Sequence, residues 1–292
     1  RYDDADHPHH GLIRMTVFLA GASTIIGFGV LSTAQHSLLR SAGLSLLLGI
    51  GFSLIGAFVI LPPLLKALQR RRMENPVSGN IRKRVAQRYG MLEAYPRLFA
   101  RFKMRFDPMF AELPGLLDAS DDARTIMDIG CGYGIQTAWM LERFPEARVV
   151  AIDPDADRIR VAARVAGTRA RISAGAAPDI PALSDPADLV VMLDIAHYLD
   201  ETALNQTLKR LYGCLKNNGR LIVRVTVPPR RRFPVLYWIE ELRLRLTRMP
   251  SFYRTVDTLE AMLTEAGFKV EQTAVSGGQG ELCWLIAVKP SP

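Results

Sequence analysis

Residues 126–134 read Ile-Met-Asp-Ile-Gly-Cys-Gly-Tyr-Gly, an apolar run that breaks into glycines and then resumes with helical spacing over residues 135–144. Such a run folds as strand, tight turn and helix. The glycines serve a turn whose dihedrals other residues tolerate poorly, and they let a ligand come close to the backbone. The helix that follows opens with unpaired N–H groups aimed back at that ligand. A dinucleotide fingerprint would need its third glycine at position 135, which is Ile135; here the third falls at Gly134. Asp128 ends the strand, and a carboxylate there repels phosphate but pairs with an ammonium. The ligand expected is therefore a zwitterion rather than a pyrophosphate.

A second apolar strand, Val149-Val-Ala-Ile-Asp153, ends in another acid, placed where a carboxylate accepts both ribose hydroxyls. Together, Asp128-Ile-Gly-Cys-Gly-Tyr-Gly134 and Val149 to Asp153 resemble the class I S-adenosylmethionine-dependent methyltransferases. The resemblance implies an α/β fold, a doubly wound Rossmann-like sheet that is mainly parallel with an antiparallel edge, and S-adenosyl-L-methionine as cofactor. It assigns the methionine part of the cofactor to Asp128, Gly130, Cys131, Gly132 and Gly134, and the ribose to Asp153 with Pro154 beside it. The family's usual acid for the adenine amino group is missing from Ser173-Ala-Gly-Ala-Ala-Pro-Asp179, which leaves adenine to backbone groups around Ala176. Cys131 is read as a small residue that fits the loop, not as a reactive thiol.

Strand and helix alternate from residue 123 onward, with strands at 125–129, 149–152, 170–173, 189–193 and 220–227 and helices at 136–144, 157–166 and 202–215. A tail of helix 256–266 and strands 269–274 and 283–288 supplies the antiparallel edge. Ligands of such sheets sit outside the carboxyl ends of the strands. The fourth strand ends in Leu193-Asp194-Ile-Ala-His197-Tyr198, which offers Asp194 to the cofactor edge and His197 and Tyr198 to catalysis. His197 titrates near neutrality and can take a proton from a hydroxyl acceptor; its competing role is to order the loop. The Asn/Asp-Pro-Pro-aromatic run that accompanies amino-group methylation is absent, and neither Cys214 nor Cys283 is placed for carbon methylation of a pyrimidine. A nucleic-acid substrate is disfavoured.

The first quarter of the chain has a different character. Residues 12–31 and 42–65 are nearly free of charge, and each stretch is long enough to cross a bilayer. The second carries Ser41, Ser45, Gly49, Ser53 and Ala57 at every fourth place, a stripe that expects a partner helix. Thr24-Ile-Ile-Gly-Phe-Gly29, His36-Ser-Leu-Leu-Arg-Ser-Ala-Gly-Leu44, Gly49-Ile-Gly51 and Leu61-Pro-Pro-Leu-Leu65 are similar to the last two membrane helices of resistance-nodulation-division (MMPL-like) exporters. That resemblance implies a membrane partner through residues 12–65, further transporter helices as partners, and a chain that is part of a longer fusion.

Arg70, Arg71 and Arg72 follow the second span, whereas the connection between spans offers Arg40. Basic residues favour the cytoplasmic side, so the enzyme domain is expected on the cytoplasmic face of the inner (plasma) membrane. Residues 82–110 interleave arginines and lysines with Tyr89, Tyr95, Phe99, Phe102, Phe106 and Phe110, read as cap helices whose rings pack on the domain while their charges face anionic headgroups. Tyr89 and Tyr95 are candidates for the substrate pocket, and the aromatic, basic helix at 233–248 is a candidate lid. The clustered His7, His9 and His10 have no acid or cysteine partner at ligand spacing, and three cysteines without metal-ligand spacing suggest no metal and a reducing compartment.

The domain reading is a transmembrane hairpin at 1–73, a basic aromatic linker with cap helices at 74–113, and a methyltransferase domain at 114–292. The activity expected is methyl transfer to a small-molecule or lipid-like acceptor on oxygen or carbon. Two rivals stay open: a transport component that binds the cofactor as a sensor, and an RNA methyltransferase using the basic segment that holds Arg82, Lys83, Arg84 and Arg88, which a net charge of +8 permits.

Overall fold

The computed structural model describes residues 8–64, 67, 80–90, 92–117, 122–228, 251–277 and 281–291. The expectations for the leader at 1–7, Arg70 to Arg72, the 75–79 linker and the 233–248 lid lie outside these residues. The chain divides into two compact units. One holds the two long N-terminal helices, and the other holds everything from residue 79 onward except 91–93. The cap helices thus belong to the same unit as the sheet.

In the first unit α1 (Pro8–Ser32) turns back through residues 33–36 into α2 (Ser37–Ile55). Both are long and apolar enough to cross a membrane. Several of their hydroxyls bond within the helix: Thr16 donates to the Leu12 carbonyl at 2.8 Å, Thr24 to Ala20 at 2.7 Å and Ser53 to Gly49 at 2.9 Å. That pattern suits a lipid surrounding, which offers no partner. A π turn at Gly56–Ile60 continues α2. It precedes Pro62 and Pro63, which lack the N–H groups an α-helix needs there and crowd the carbonyls one turn back.

The small-residue stripe does not face α1. Ser41, Ser45, Gly49 and Ser53 are exposed or half-open and a side chain added at Gly49 would meet nothing. The α1–α2 contact instead uses Gly43, whose Cβ would lie 2.7 Å from the Ser32 nitrogen, Gly21 beneath Leu54, and Phe18 edge-on to Phe58 at 6.5 Å.

In the second unit α3 (Ile81–Arg88), α4 (Ala94–Phe106) and α5 (Met109–Leu116) precede the sheet. Seven strands follow: β1 (Thr125–Ile129), β2 (Arg148–Asp153), β3 (Ala170–Ala174), β4 (Ala187–Leu193), β5 (Leu215–Thr226), β6 (Lys269–Ser276) and β7 (Leu282–Val288). Their order is β3-β2-β1-β4-β5-β7-β6, parallel through β5, with β7 antiparallel between β5 and β6. Helices α6 (Ile135–Arg143), α7 (Ala156–Ala166) and α8 (Glu201–Cys214) make the crossovers, and α9 (Val256–Glu265) enters the antiparallel edge.

The path from β1 to β3 runs one way across the sheet and that from β4 to β5 the other. Right-handed crossovers therefore put α6 and α7 on one face and α8 on the opposite face. Strands covered on both faces read as apolar runs, which is why β1 and β4 bury nearly every residue. The switch in direction lies between β1 and β4, where an open sheet leaves a crevice at its carboxyl end.

Candidate active site

The loop after β1 occupies that crevice. The Gly130 and Cys131 N–H groups both donate to the Ile152 carbonyl, at 2.9 and 3.0 Å, which bends the chain across the end of β2. Gly130, Gly132 and Gly134 all have left-handed backbones, with φ of 77°, 55° and 77°. A Cβ on Gly130 would lie 2.5 Å from Ile195 Cγ2 and one on Gly134 2.8 Å from Ala162 Cβ, whereas one on Gly132 would point into open space. Two glycines thus permit close packing of the loop against β4's exit and α7. The third leaves the crevice clear.

Asp128 is fully buried at the base of the loop. Thr137 Oγ1 donates to its Oδ2 at 2.5 Å, while Oδ1 is buried with no hydrogen-bond partner. Burial pushes its carboxyl up to about 7; the bond from Thr137 and the nearby Gln136 amide, which itself donates to the Gly130 carbonyl at 3.2 Å, pull it down, and the Asp153 charge adds to the rise. An unmatched buried carboxylate oxygen is what an ammonium group would satisfy, so the residues fit the amino-acid end of S-adenosylmethionine. Asp153 is 4% exposed; its Oδ2 accepts from Gly132 N at 2.8 Å and its Oδ1 from Asp155 N at 3.0 Å. Each oxygen keeps a lone pair for a ribose hydroxyl. Pro154 is exposed beside it, and Gly175 N donates to the Asp153 carbonyl at 3.2 Å, which brings the segment carrying exposed Ala176 alongside.

Cys131 is fully buried. Burial, reinforced by the Asp128 and Asp153 charges, pushes its thiol far up, so it is an inert filler of the loop. Tyr89 does not line a pocket: it too is fully buried, and its hydroxyl donates to the Tyr133 carbonyl at 2.8 Å, propping the glycine loop from below. Tyr95 and Phe99 of α4 meet the Tyr133 ring with centroids at 6.0 and 5.3 Å, so the cap helix reaches the loop by its aromatic edge.

At β4's exit Asp194 has a left-handed backbone (φ 60°) and its carboxylate is taken by Arg224 of β5, through Nε at 2.7 Å and a short Nη2 contact. Arg224 is itself 2% exposed and holds Asp107, between α4 and α5, with Nη1 at 2.5 Å and Nη2 at 2.9 Å. Lys103 Nζ stands 3.9 Å from both acids. Desolvation would raise the Asp194 carboxyl, but the Arg224 charge outweighs it and holds the group below the usual carboxylate range.

Glu112 of α5 adds a second tie, accepting from Trp284 Nε1, Ser276 Oγ and Gly277 N at 2.7–2.8 Å. The sequence reading missed this cluster. Its one visible signal was an arginine inside the strand Leu-Ile-Val-Arg-Val at 221–225, a place where a charge must be paired.

His197 and Tyr198 lie on the short turn that follows. The His197 ring is 4% exposed, packed 4.1 Å from the Tyr198 ring and parallel to Tyr253 at 5.8 Å. Its carbonyl accepts from Phe252 N at 2.7 Å, and Arg254 clasps the Ala196 and Leu199 carbonyls of the same turn. Ile195 brings this turn against Gly130. Asp128, the glycines, Asp153 and the His197 turn are thus gathered at one crevice, while the Asp194 carboxylate is committed to Arg224.

Known proteins share parts of this chain's sequence and fold. Residues 126–219 match the family model described as a methyltransferase domain. Trans-aconitate 2-methyltransferase of Azoarcus sp. (strain BH72) is 36% identical over 105 residues, 36% of this chain and 40% of that protein. Malonyl-[acyl-carrier protein] O-methyltransferase of Priestia megaterium is 32% identical over 98 residues, 33% of this chain and 35% of its own length. The chain thus spans less than half the length of these curated relatives. An S-adenosylmethionine-dependent methyltransferase from Mesorhizobium loti shares the fold, with a TM-score of 0.54 and 18% identity over 63% of this chain and 99% of that one. Residues 126–219 thus match a methyltransferase domain, the sheet has a Rossmann-like methyltransferase fold, and S-adenosyl-L-methionine is the cofactor that this match and this fold imply.

Proposed function

We propose that this chain is a membrane-tethered methyltransferase that moves a methyl group from S-adenosylmethionine to an oxygen of a small-molecule or lipid-like acceptor. The observation that carries the reading is the buried, unpartnered Oδ1 of Asp128 beneath three left-handed glycines, beside Asp153. In this reading Asp128 holds the cofactor's ammonium, the Gly130 to Gly134 loop its methionine part and Asp153 its ribose, with Pro154 and the backbone at Ala176 toward the adenine. Asp194 contributes by shaping the rim through Arg224. The bound cofactor supplies an activated methyl on a sulfonium, so the protein's work is positioning and exclusion of water.

For an acceptor that is already a carboxylate no proton need leave, and His197 with Tyr198 shapes the pocket; for a hydroxyl acceptor His197 takes the proton. Oxygen as the target is supported by the printed activity of the malonyl-[acyl-carrier protein] relative, and a small acid by that of the trans-aconitate relatives. The membrane reading is supported by α1 and α2 and by hydroxyls bonded within the helices. The exposed small-residue stripe on α2 supports further transporter helices as neighbours, with the enzyme domain on the cytoplasmic face of the inner membrane. The RNA alternative loses ground because Arg84 and Arg88, counted among its basic cues, both pair with Glu142 at 2.6 Å.

Purified full-length chain with methyl-labelled cofactor, offered lipid extract, small carboxylic acids or total RNA, tests the reading. Label in lipid or small acids is expected. Label in RNA, or cofactor binding without transfer to any of the three, overturns it.

A further inference from the structure

The cap helix α4 has two unlike sides. Successive helical residues are about 100° apart, so Pro96, Ala100 and Met104 form one row, and all three are buried against the domain. Leu98, Phe102 and Phe106 form a second row, and Tyr95 adjoins it. These four are 59%, 63%, 67% and 65% exposed. Arg101 and Arg105, also exposed, follow the same four-residue step along the border of that row. Phe102 and Phe106 touch, with centroids at 4.6 Å, so the apolar surface is continuous, and through Tyr95 and Phe99 it reaches Tyr133 of the glycine loop.

A water-facing helix would place its arginines outward and its rings inward. Here the Tyr95, Phe102 and Phe106 rings are outward together with the arginines, which corrects for these three the expectation that the rings pack on the domain; Tyr89 and Phe110 are buried in it and Phe99 packs on Tyr133. Side-by-side rows of aromatic and guanidinium groups match a lipid–water interface, where rings enter the headgroup boundary and cations meet anionic headgroups.

We propose that this outward face of α4 docks on the anionic lipid surface of the membrane that α1 and α2 cross. The inference rests on the membrane-tethered reading above. Charge complementarity favours lipid over a protein partner, and residues 65–80, the only chain between α2's continuation and α3, reach at most about 55 Å. Docking brings the Tyr133 loop, and with it the cofactor crevice, to the bilayer surface, where an acceptor dissolved in lipid is met directly.

The test uses the full chain with Cys214→Ser, since the remaining Cys131 and Cys283 are buried. An environment-sensitive fluorophore is placed at Phe102→Cys or, separately, at Ser45→Cys on α2. The protein is reconstituted in phosphatidylcholine vesicles with or without phosphatidylglycerol, with nitroxide-bearing lipid as quencher. The position-102 label is expected to shift to the blue and be quenched when phosphatidylglycerol is present, and quenching should fall by about half or more in Arg101→Glu/Arg105→Glu. Quenching at 45 but not at 102 overturns the docking surface and leaves the tether standing; quenching at neither overturns both. A blue shift at 102 without quenching means that protein covers the face, and quenching indifferent to phosphatidylglycerol and to the arginines removes the anionic surface. Either result overturns the proposal.

Discussion

Gly132 and Gly134 share a left-handed backbone but differ in what a side chain would meet, and that difference separates folding from binding. Gly134→Ala must enter a disfavoured conformation and push a methyl to 2.8 Å from Ala162 Cβ and 2.9 Å from its Cα. A loss of about 2–4 kcal/mol in unfolding free energy is expected, read by denaturant melts. Gly132→Ala meets no atom, so it should lose only about 1 kcal/mol, yet calorimetry should show cofactor affinity falling by an order of magnitude or more, because the methyl fills the crevice. Asp128 gives a pH signature. Its folded-state carboxyl, near 7, lies above the unfolded value, so its contribution to stability is present at low pH and is lost as pH rises through about 7. Cofactor binding runs the other way, since the ammonium pairs with the ionised form: affinity should tighten by up to about ten-fold per pH unit on approaching 7 from below, then level off. Asp128→Asn should flatten that profile, weaken binding, and raise the melting temperature of the cofactor-free protein at pH 8.

Among elements, the cap helices are held to the sheet by buried charge. Arg224 sits between Asp107 and Asp194, and deleting one partner of such a set leaves uncompensated charge. Arg224→Met is expected to cost about 3–5 kcal/mol, and Arg224→Met combined with Asp107→Asn and Asp194→Asn should recover part of it, as thermal melts of the two variants will show. The Asp194 carboxyl is held low, so the pairing's contribution is present above the unfolded carboxylate range and lost as pH falls through the folded value. The strands were legible in the chain because burial on both faces leaves apolar runs, their order was not, and the glycine turn was legible because Gly130 to Gly134 have few other uses. The tie through Asp107, Arg224 and Glu112 was not, because its partners lie far apart in sequence and nothing local marks an acid at 107 as paired rather than solvated. The misreading of Tyr89 has the same origin: an aromatic among basic residues looks alike whether it faces a ligand or props a loop. On α2 a period of four announced a contact face, but four-residue rows exist on every side of a helix, and the α1 contact fell on the opposite side, through Gly43 and Leu54.

For the molecule as a whole, the two units make different demands on their surroundings. α1, α2 and the π turn expose Leu12, Phe18, Ile26, Val30, Leu38, Phe52 and Val59, an apolar surface of the kind that marks a membrane or protein contact. The full chain should therefore sediment with membranes and resist extraction by carbonate, and release by carbonate would refute the tether. The reach of residues 65–80 then has a kinetic consequence. Under the tether proposed above, an enzyme leashed within about 55 Å of a bilayer meets a lipid-soluble acceptor in two dimensions, so turnover should follow the mole fraction of acceptor in the membrane and not its bulk concentration. Diluting the acceptor with inert lipid, at constant total acceptor, should slow the reaction in proportion, whereas a freely water-soluble acceptor would be indifferent to the added lipid.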